Sequence, residues 1–181
     1  RWQHVLVIPA YRESSDLLDT LHYLPEGTGR TLVILVINRP DSDPDARANR
    51  TLREALQVQL SPTTTTPLTE LNTHSDLYVY DMDELYGPNP AQLGVGLARK
   101  AGCDLALQWM TEGFINSEWI CSTDADATLP DDYFSALADT PSDAVAAVFP
   151  FKHVPGDDLA CNSATALYEL RLRYYVAGLS W

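Results

Sequence analysis

With 181 residues and 45% hydrophobic side chains, the chain is long enough for one domain with a sizeable core and too apolar for global disorder. Its 25 Asp and Glu against 12 Lys and Arg leave a net charge of −13, a surface that repels phosphate backbones and so argues against nucleic acid as a partner. No apolar run approaches the roughly 18 residues of a membrane span. No signal peptide is visible, and Arg1 in first place suggests a start further upstream. Cys103, Cys121 and Cys161 are odd in number and far apart, which reads as core thiols in a reducing, cytoplasmic setting rather than disulfides or a zinc site.

In chain order, residues 4–8 form a short apolar strand. Pro9-Ala10-Tyr11-Arg12-Glu13 leaves it, and Ser14-Ser15-Asp16 caps a helix running to about Leu24. Residues 31–37 are a second strand, apolar throughout, as expected of one buried on both faces. A charged helix over residues 44–60 follows, then the low-complexity run 61–67, which reads as an exposed, mobile loop. Residues 77–80 are a third strand. Asn89 is a candidate cap for a long helix over 91–112, with Leu93, Leu97, Ala101, Leu105, Gln108 and Trp109 on one face. Residues 118–123 are a fourth strand, 130–138 a short helix, 144–149 a fifth strand and 158–178 a last helix. Strands alternating with helices imply parallel neighbours and right-handed crossovers. The expected fold is a single α/β domain, a three-layer sandwich of a mostly parallel sheet with helices on both faces.

The chemistry concentrates after the fourth strand, at Ser122-Thr123-Asp124-Ala125-Asp126. Two acids at i, i+2 on a strand exit point the same way, at the rim where open α/β sheets bind ligands. Crowded carboxylates repel unless a cation lies between them. A hard divalent ion, Mg²⁺ or Mn²⁺, holding a diphosphate is the natural partner. Other triplets of the same spacing occur, and one of them, Asp81-Met82-Asp83, also follows an apolar run and is a rival.

Three segments in order resemble the nucleotide-sugar half of GT-A glycosyltransferases, family 2 in particular. Val5-Leu6-Val7-Ile8-Pro9-Ala10-Tyr11-Arg12-Glu13 is similar to that family's opening strand and Pro-x-Tyr-Asn-Glu turn. Gly94-Val95-Gly96-Leu97-Ala98-Arg99-Lys100-Ala101-Gly102 is similar to its Gly-rich helix with an Ala-Arg-Asn-x-Gly core. Asp124-Ala125-Asp126 with Leu129-Pro130-Asp131 behind it is similar to its metal motif. The resemblance implies a GT-A fold and transfer of a sugar from a UDP- or GDP-sugar to an unknown acceptor. It implies that Pro9, Ala10, Tyr11 and Glu13 wall the nucleoside and that Asp41 stands in for the family's Asp-Asp-Gly-Ser. Arg99 would meet a phosphate or hold the acidic pair, Asp126 would ligate the metal, and Asp124 would contact ribose or reach the metal through water. Arg12 and Lys100 replace family asparagines, adding charge of the right sign for a diphosphate. The family's catalytic base has no counterpart, so none is assigned. The chain is expected to lack its acceptor-binding part, and the last helix to expose apolar side chains where that part would pack.

Two readings from other classes stay open. Asp124-Ala125-Asp126-Ala127-Thr128-Leu129 satisfies the haloacid-dehalogenase phosphatase pattern, with Asp124 as nucleophile. A non-catalytic nucleotide-sugar-binding module is the other.

Overall fold

The computed structural model describes residues 1–59 and 68–179. The residues fall into two compact units, Arg1–Thr140 and Pro141–Trp181. The expected loop over residues 61–67 lies outside the described residues.

The first unit is an α/β fold around a five-stranded, mostly parallel sheet. Its elements are β1 (His4–Ala10), α1 (Asp16–His22), β2 (Thr31–Ile37), α2 (Arg50–Gln59), β3 (Leu68–Asn72), β4 (Ser75–Asp81), α3 (Met82–Tyr86), α4 (Gly94–Thr111) and β5 (Cys121–Ser122). The strand order is β3-β4-β2-β1-β5. β1, β2, β4 and β5 run parallel, and only β3 is antiparallel, against β4. The uniformly apolar β2 is buried at every position, which is why it sits in the centre of the sheet. Successive side chains alternate between faces. Val5, Val7, Leu32, Ile34 and Val36 share one cluster with Ala98 and Ala106 of α4. Leu6, Ile8, Val33 and Leu35 are equally buried on the opposite face, and Leu17, Leu18 and Leu21 of α1 and Leu52 and Leu56 of α2 are the buried leucines of helices outside that cluster. The arrangement is consistent with a three-layer sandwich.

Several elements depart from the sequence reading. β3 was not expected: Leu68-Thr69-Glu70-Leu71-Asn72 is short and mixed, and only its pairing with β4 makes it an edge strand. The fourth expected strand shrinks to two residues. Its first half is held instead by Ser117, whose hydroxyl donates to the Trp119 carbonyl at 2.7 Å and accepts from the Trp119 N–H at 3.1 Å. Of the expected stripe on α4, Ala101, Leu105 and Trp109 pack against the core and Leu93 is exposed, while the fully buried positions are the small residues Ala98, Gly102 and Ala106. Small residues let the helix approach the sheet: a Cβ on Gly102 would stand 2.4 Å from Cγ1 of Val7 and 2.8 Å from Cγ2 of Val36. The helix expected over 130–138 is a run of turns and a 3₁₀ turn, Ser135–Asp139, anchored by buried Tyr133 and Phe134.

The second unit holds one long helix, α5 (Leu159–Leu179), and no strand among its described residues. The strand expected over residues 144–149 is therefore corrected: the run is irregular, with a bend at Val145, and joins no ladder, and Val145 is 99% exposed. A strand is stabilised by pairing, and an apolar run without a partner has none of that gain. Asp158 caps α5, accepting the N–H groups of Ala160 and Cys161 at 2.8 and 3.1 Å. No residue of α5 is buried, and Leu167, Leu170, Tyr174 and Val176 are exposed. The cysteines are free thiols; Cys121 is buried, Cys103 half-buried, and Cys161 exposed rather than in a core. Among the described residues, no helix is long and apolar enough to cross a membrane.

Candidate functional site

The sheet places its parallel strands so that the chain moves from β1 to β2 and β4 on one side, then returns to β5 on the other. A ligand crevice forms at the carboxyl edge where strand order reverses. Leu6 and Val7 pair with Cys121 and Ser122, and the Thr123 N–H donates to the Val7 carbonyl at 3.1 Å. Two residues beyond that last pair come Pro9 on one strand and Asp124 on the other. Register alone thus brings two segments more than a hundred residues apart to one rim.

A cleft of about 550 Å³ opens there. Pro9, Tyr11 and Glu13 from the β1 exit line it beside Asp124, Ala125 and Asp126 from the β5 exit. Asn38, Pro40 and Ser42 from the β2 exit, with Asn89, Ala91, Gly94 and Val95 from the segment entering α4, complete the lining.

The two acids of the β5 exit are unequally used. Arg99, on the exposed rim of α4, donates from Nη2 to Asp124 Oδ1 and from Nε to Ser122 Oγ at 3.0 Å. Ser122 Oγ in turn donates to the Val7 carbonyl at 3.1 Å, tying guanidinium, acid and sheet together. Asp126 is exposed and makes no hydrogen bond or ion pair among the described residues. Its charge is felt by Glu13, whose carboxyl is pushed up from its ordinary 4.5, first by burial and then by Asp126. Glu13 and Asp126 therefore form a like-charged pair with no protein cation assigned to either.

The rival acids are spent. Arg53 binds Asp81 through both ends of its fork, at 2.6 and 2.8 Å, and reaches Asp83 at 3.0 Å. Arg39 binds Asp83 at 3.0 Å, and Asn49 donates to it at 3.3 Å. Asp81 also caps α3, accepting the Glu84 N–H at 2.9 Å. Both carboxylates are structural.

Other expected site residues fall outside the cleft lining. Ala10 is buried, its carbonyl accepting the N–H and side-chain amide of Asn38 at 3.0 and 3.1 Å. Asp41 caps the segment entering α4, accepting the Ala91 N–H at 2.9 Å, the role expected of Asn89. Arg12 and Lys100 both have acidic partners within the fold: Lys100 pairs with Asp104 one turn on, and Arg12 with Asp43. Arg12 sits at φ 59°, a left-handed conformation that a bulky residue adopts at a cost. Its N–H donates to Asn49 Oδ1 at 3.0 Å, and its guanidinium grips both oxygens of Asp43 at 2.9 Å. Tyr11 OH donates to the same carboxylate at 2.6 Å, so Tyr11 is oriented from behind.

Sequence reasoning missed Asn38, Ser42 and Asn89 as lining residues. Asn89 carries the one signal that separates it: it is 94% buried by side-chain and backbone contact yet its amide nitrogen lacks a partner.

The donor set fits a hard cation only in part. Among the described residues, no three His, Cys, Asp or Glu side chains converge to hold a metal. Mg²⁺ and Mn²⁺ on a diphosphate need only one or two carboxylates, the phosphates and water supplying the rest. Asp126, unpaired and exposed, with Asp124 beside it, offers that. No protein-family model, curated protein or solved structure matches this chain.

Proposed function

We propose that the chain is the sugar-nucleotide-binding part of a metal-dependent glycosyltransferase of GT-A type, similar to family 2, acting on a UDP- or GDP-sugar and an unknown acceptor. The observation that carries this reading is the cleft itself. It gathers Pro9, Tyr11 and Glu13 with Asp124 and Asp126 at the reversal point of a parallel sheet, with Arg99 on the same rim. The reading needs those distant segments side by side and needs an uncompensated acid facing outward.

In this reading Tyr11, braced by Asp43, walls the nucleoside. Arg99 keeps Asp124 fixed and lends positive charge to the phosphate end. Asp126, with Asp124, would hold Mg²⁺ or Mn²⁺, which when bound neutralises the charge of the departing nucleoside diphosphate. Glu13, crowded by Asp126, gains from any cation placed between them. Three free thiols support a cytoplasmic setting. The phosphatase alternative asks Asp124 to be a free nucleophile, and the Arg99 ion pair opposes that use.

Calorimetric titration of UDP- and GDP-sugars with and without Mn²⁺ tests the proposal. Binding should require metal and be lost in Asp126→Ala. Asp104→Ala is the control, since Asp104 is exposed and paired only with Lys100. Asp83→Ala is unsuited to that purpose because it would strand Arg39 and Arg53. Metal-independent binding, or binding untouched by Asp126→Ala, refutes the assignment. Binding without sugar transfer by the longest natural form would favour the non-catalytic module.

A further inference from the structure

We infer that Asn89 reads the nucleobase, its carboxamide pairing with a ring edge that carries a carbonyl beside an N–H. This inference rests on the sugar-nucleotide reading and assigns the end of the cleft opposite the acids.

Asn89 lines the cleft and is 6% exposed. Its Nδ2 is buried without a hydrogen-bond partner, and the side chain makes no hydrogen bond among the described residues. The fold does not need the amide. The segment is held by its backbone: the Asn89 N–H donates to the Arg39 carbonyl at 2.7 Å, and the Asn89 carbonyl accepts the Asp41 N–H at 2.7 Å. The helix entry is capped by Asp41. A buried amide without partners costs stability, and such a group in a native protein calls for an explanation.

The surroundings narrow its partner. Of the polar side chains lining the same wall, Asn38 donates to the Ala10 carbonyl, while the Ser42 hydroxyl makes no hydrogen bond among the described residues and stands beside the amide as a second polar group. The carboxylates lining the cleft, Glu13, Asp124 and Asp126, come from the β1 and β5 exits, not from this wall. What the Asn89 wall offers is a neutral amide with one donor end and one acceptor end, exchanged by a half-turn of the side chain. An amide matches any base edge with a donor beside an acceptor through two parallel hydrogen bonds, and in the UDP- or GDP-sugar of the proposed function that edge is the carbonyl next to a ring N–H of uracil or guanine.

The test is calorimetry of UDP, GDP, ADP and pyrophosphate, each with Mn²⁺, on the whole chain and on Asn89→Ala and Asn89→Leu, with thermal melts of all three proteins. Loss of two hydrogen bonds to the base should weaken the preferred nucleotide by about tenfold or more, with pyrophosphate binding unchanged. Both variants should melt at the same temperature as the parent or higher, because an unpaired buried amide is gone. Unchanged UDP and GDP affinity in both variants overturns the inference and leaves the sugar-nucleotide reading standing. A fall in pyrophosphate binding equal to that for nucleotide, or a lowered melting temperature in both variants, also overturns it, since the residue would then be structural. If the parent protein binds neither pyrophosphate nor any nucleotide, the sugar-nucleotide reading itself fails.

Discussion

Single residues divide the acids of this chain into those that hold the fold and those left for a ligand. Asp43 belongs to the first group. Its carboxyl is held from its ordinary 3.8 down to about 2, first by the Tyr11 hydroxyl, then by the Asp45 N–H and by Arg12. The unfolded chain takes up that proton near 3.8 and the folded one only near 2, so this stabilisation is complete above 3.8 and is lost as pH falls between them. Thermal melts across that range should show a shallower acid-side loss in Asp43→Asn than in the parent. Glu13 has the opposite sign. Its raised pKa means that the ionised form is disfavoured in the fold, so stability falls as pH rises through 4.5 and above. Glu13→Gln should raise the melting temperature at neutral pH, and Mn²⁺ with a diphosphate should raise that of the parent more than that of the variant. Arg99→Ala should weaken nucleotide binding by about tenfold, one lost charge-assisted contact, with little loss of stability because the pair is largely exposed.

At the scale of elements, α4 governs how closely the Arg99 rim approaches the β5 exit. Its fully buried contacts with the sheet are made by Ala98, Gly102 and Ala106, with the half-buried Leu105 and Trp109 packed beside them. Gly102→Ala separates two effects. Helix propensity favours alanine by about 1 kcal/mol. The added Cβ overlaps Val7 and Val36, stiff β-branched side chains in a filled core, which costs about 2–3 kcal/mol. Packing wins, and denaturant titration should show a net loss of about 1–2 kcal/mol. The short β5 is the counterpart of this close packing. Two ladder residues suffice to set the register that brings Asp124 level with Pro9.

For the molecule as a whole, the core lies in the first unit. Every buried residue belongs to residues 1–140, and none of the described residues of 141–179 is buried. Stability should follow the same division. A chain ending at Thr140 keeps the whole sheet and every buried residue and should fold cooperatively by itself. Circular dichroism melts of both forms provide the check, and a collapse of the shorter form would show that the second unit supports the first.

Local pattern was enough for what depends on local pattern. The unbroken apolar run of β2 announced a central strand, Ser14 and Asp158 announced helix starts, and the Asp124-Ala125-Asp126 exit announced two outward acids. Tertiary structure decided whatever depends on partners distant in sequence. Residues 144–149 have the composition of a strand but no ladder, whereas 68–72 lack the pattern and pair with β4 nonetheless. Asp81-Met82-Asp83 and Asp124-Ala125-Asp126 are equivalent as spacings, and only the folded chain sets Arg39 and Arg53 on the first pair while leaving Asp126 unpaired. Asp41 takes the capping place expected of Asn89 because a cap is chosen by geometry: the Asp41 carboxylate reaches the Ala91 N–H, and the Asn89 amide is left buried without a partner in the wall of a cleft that no local motif describes. Backbone propensity and hydrophobic period act within a few residues of one another. Charge pairing and register act across the whole chain, and they are what made one acidic pair structural and left the other open to a ligand.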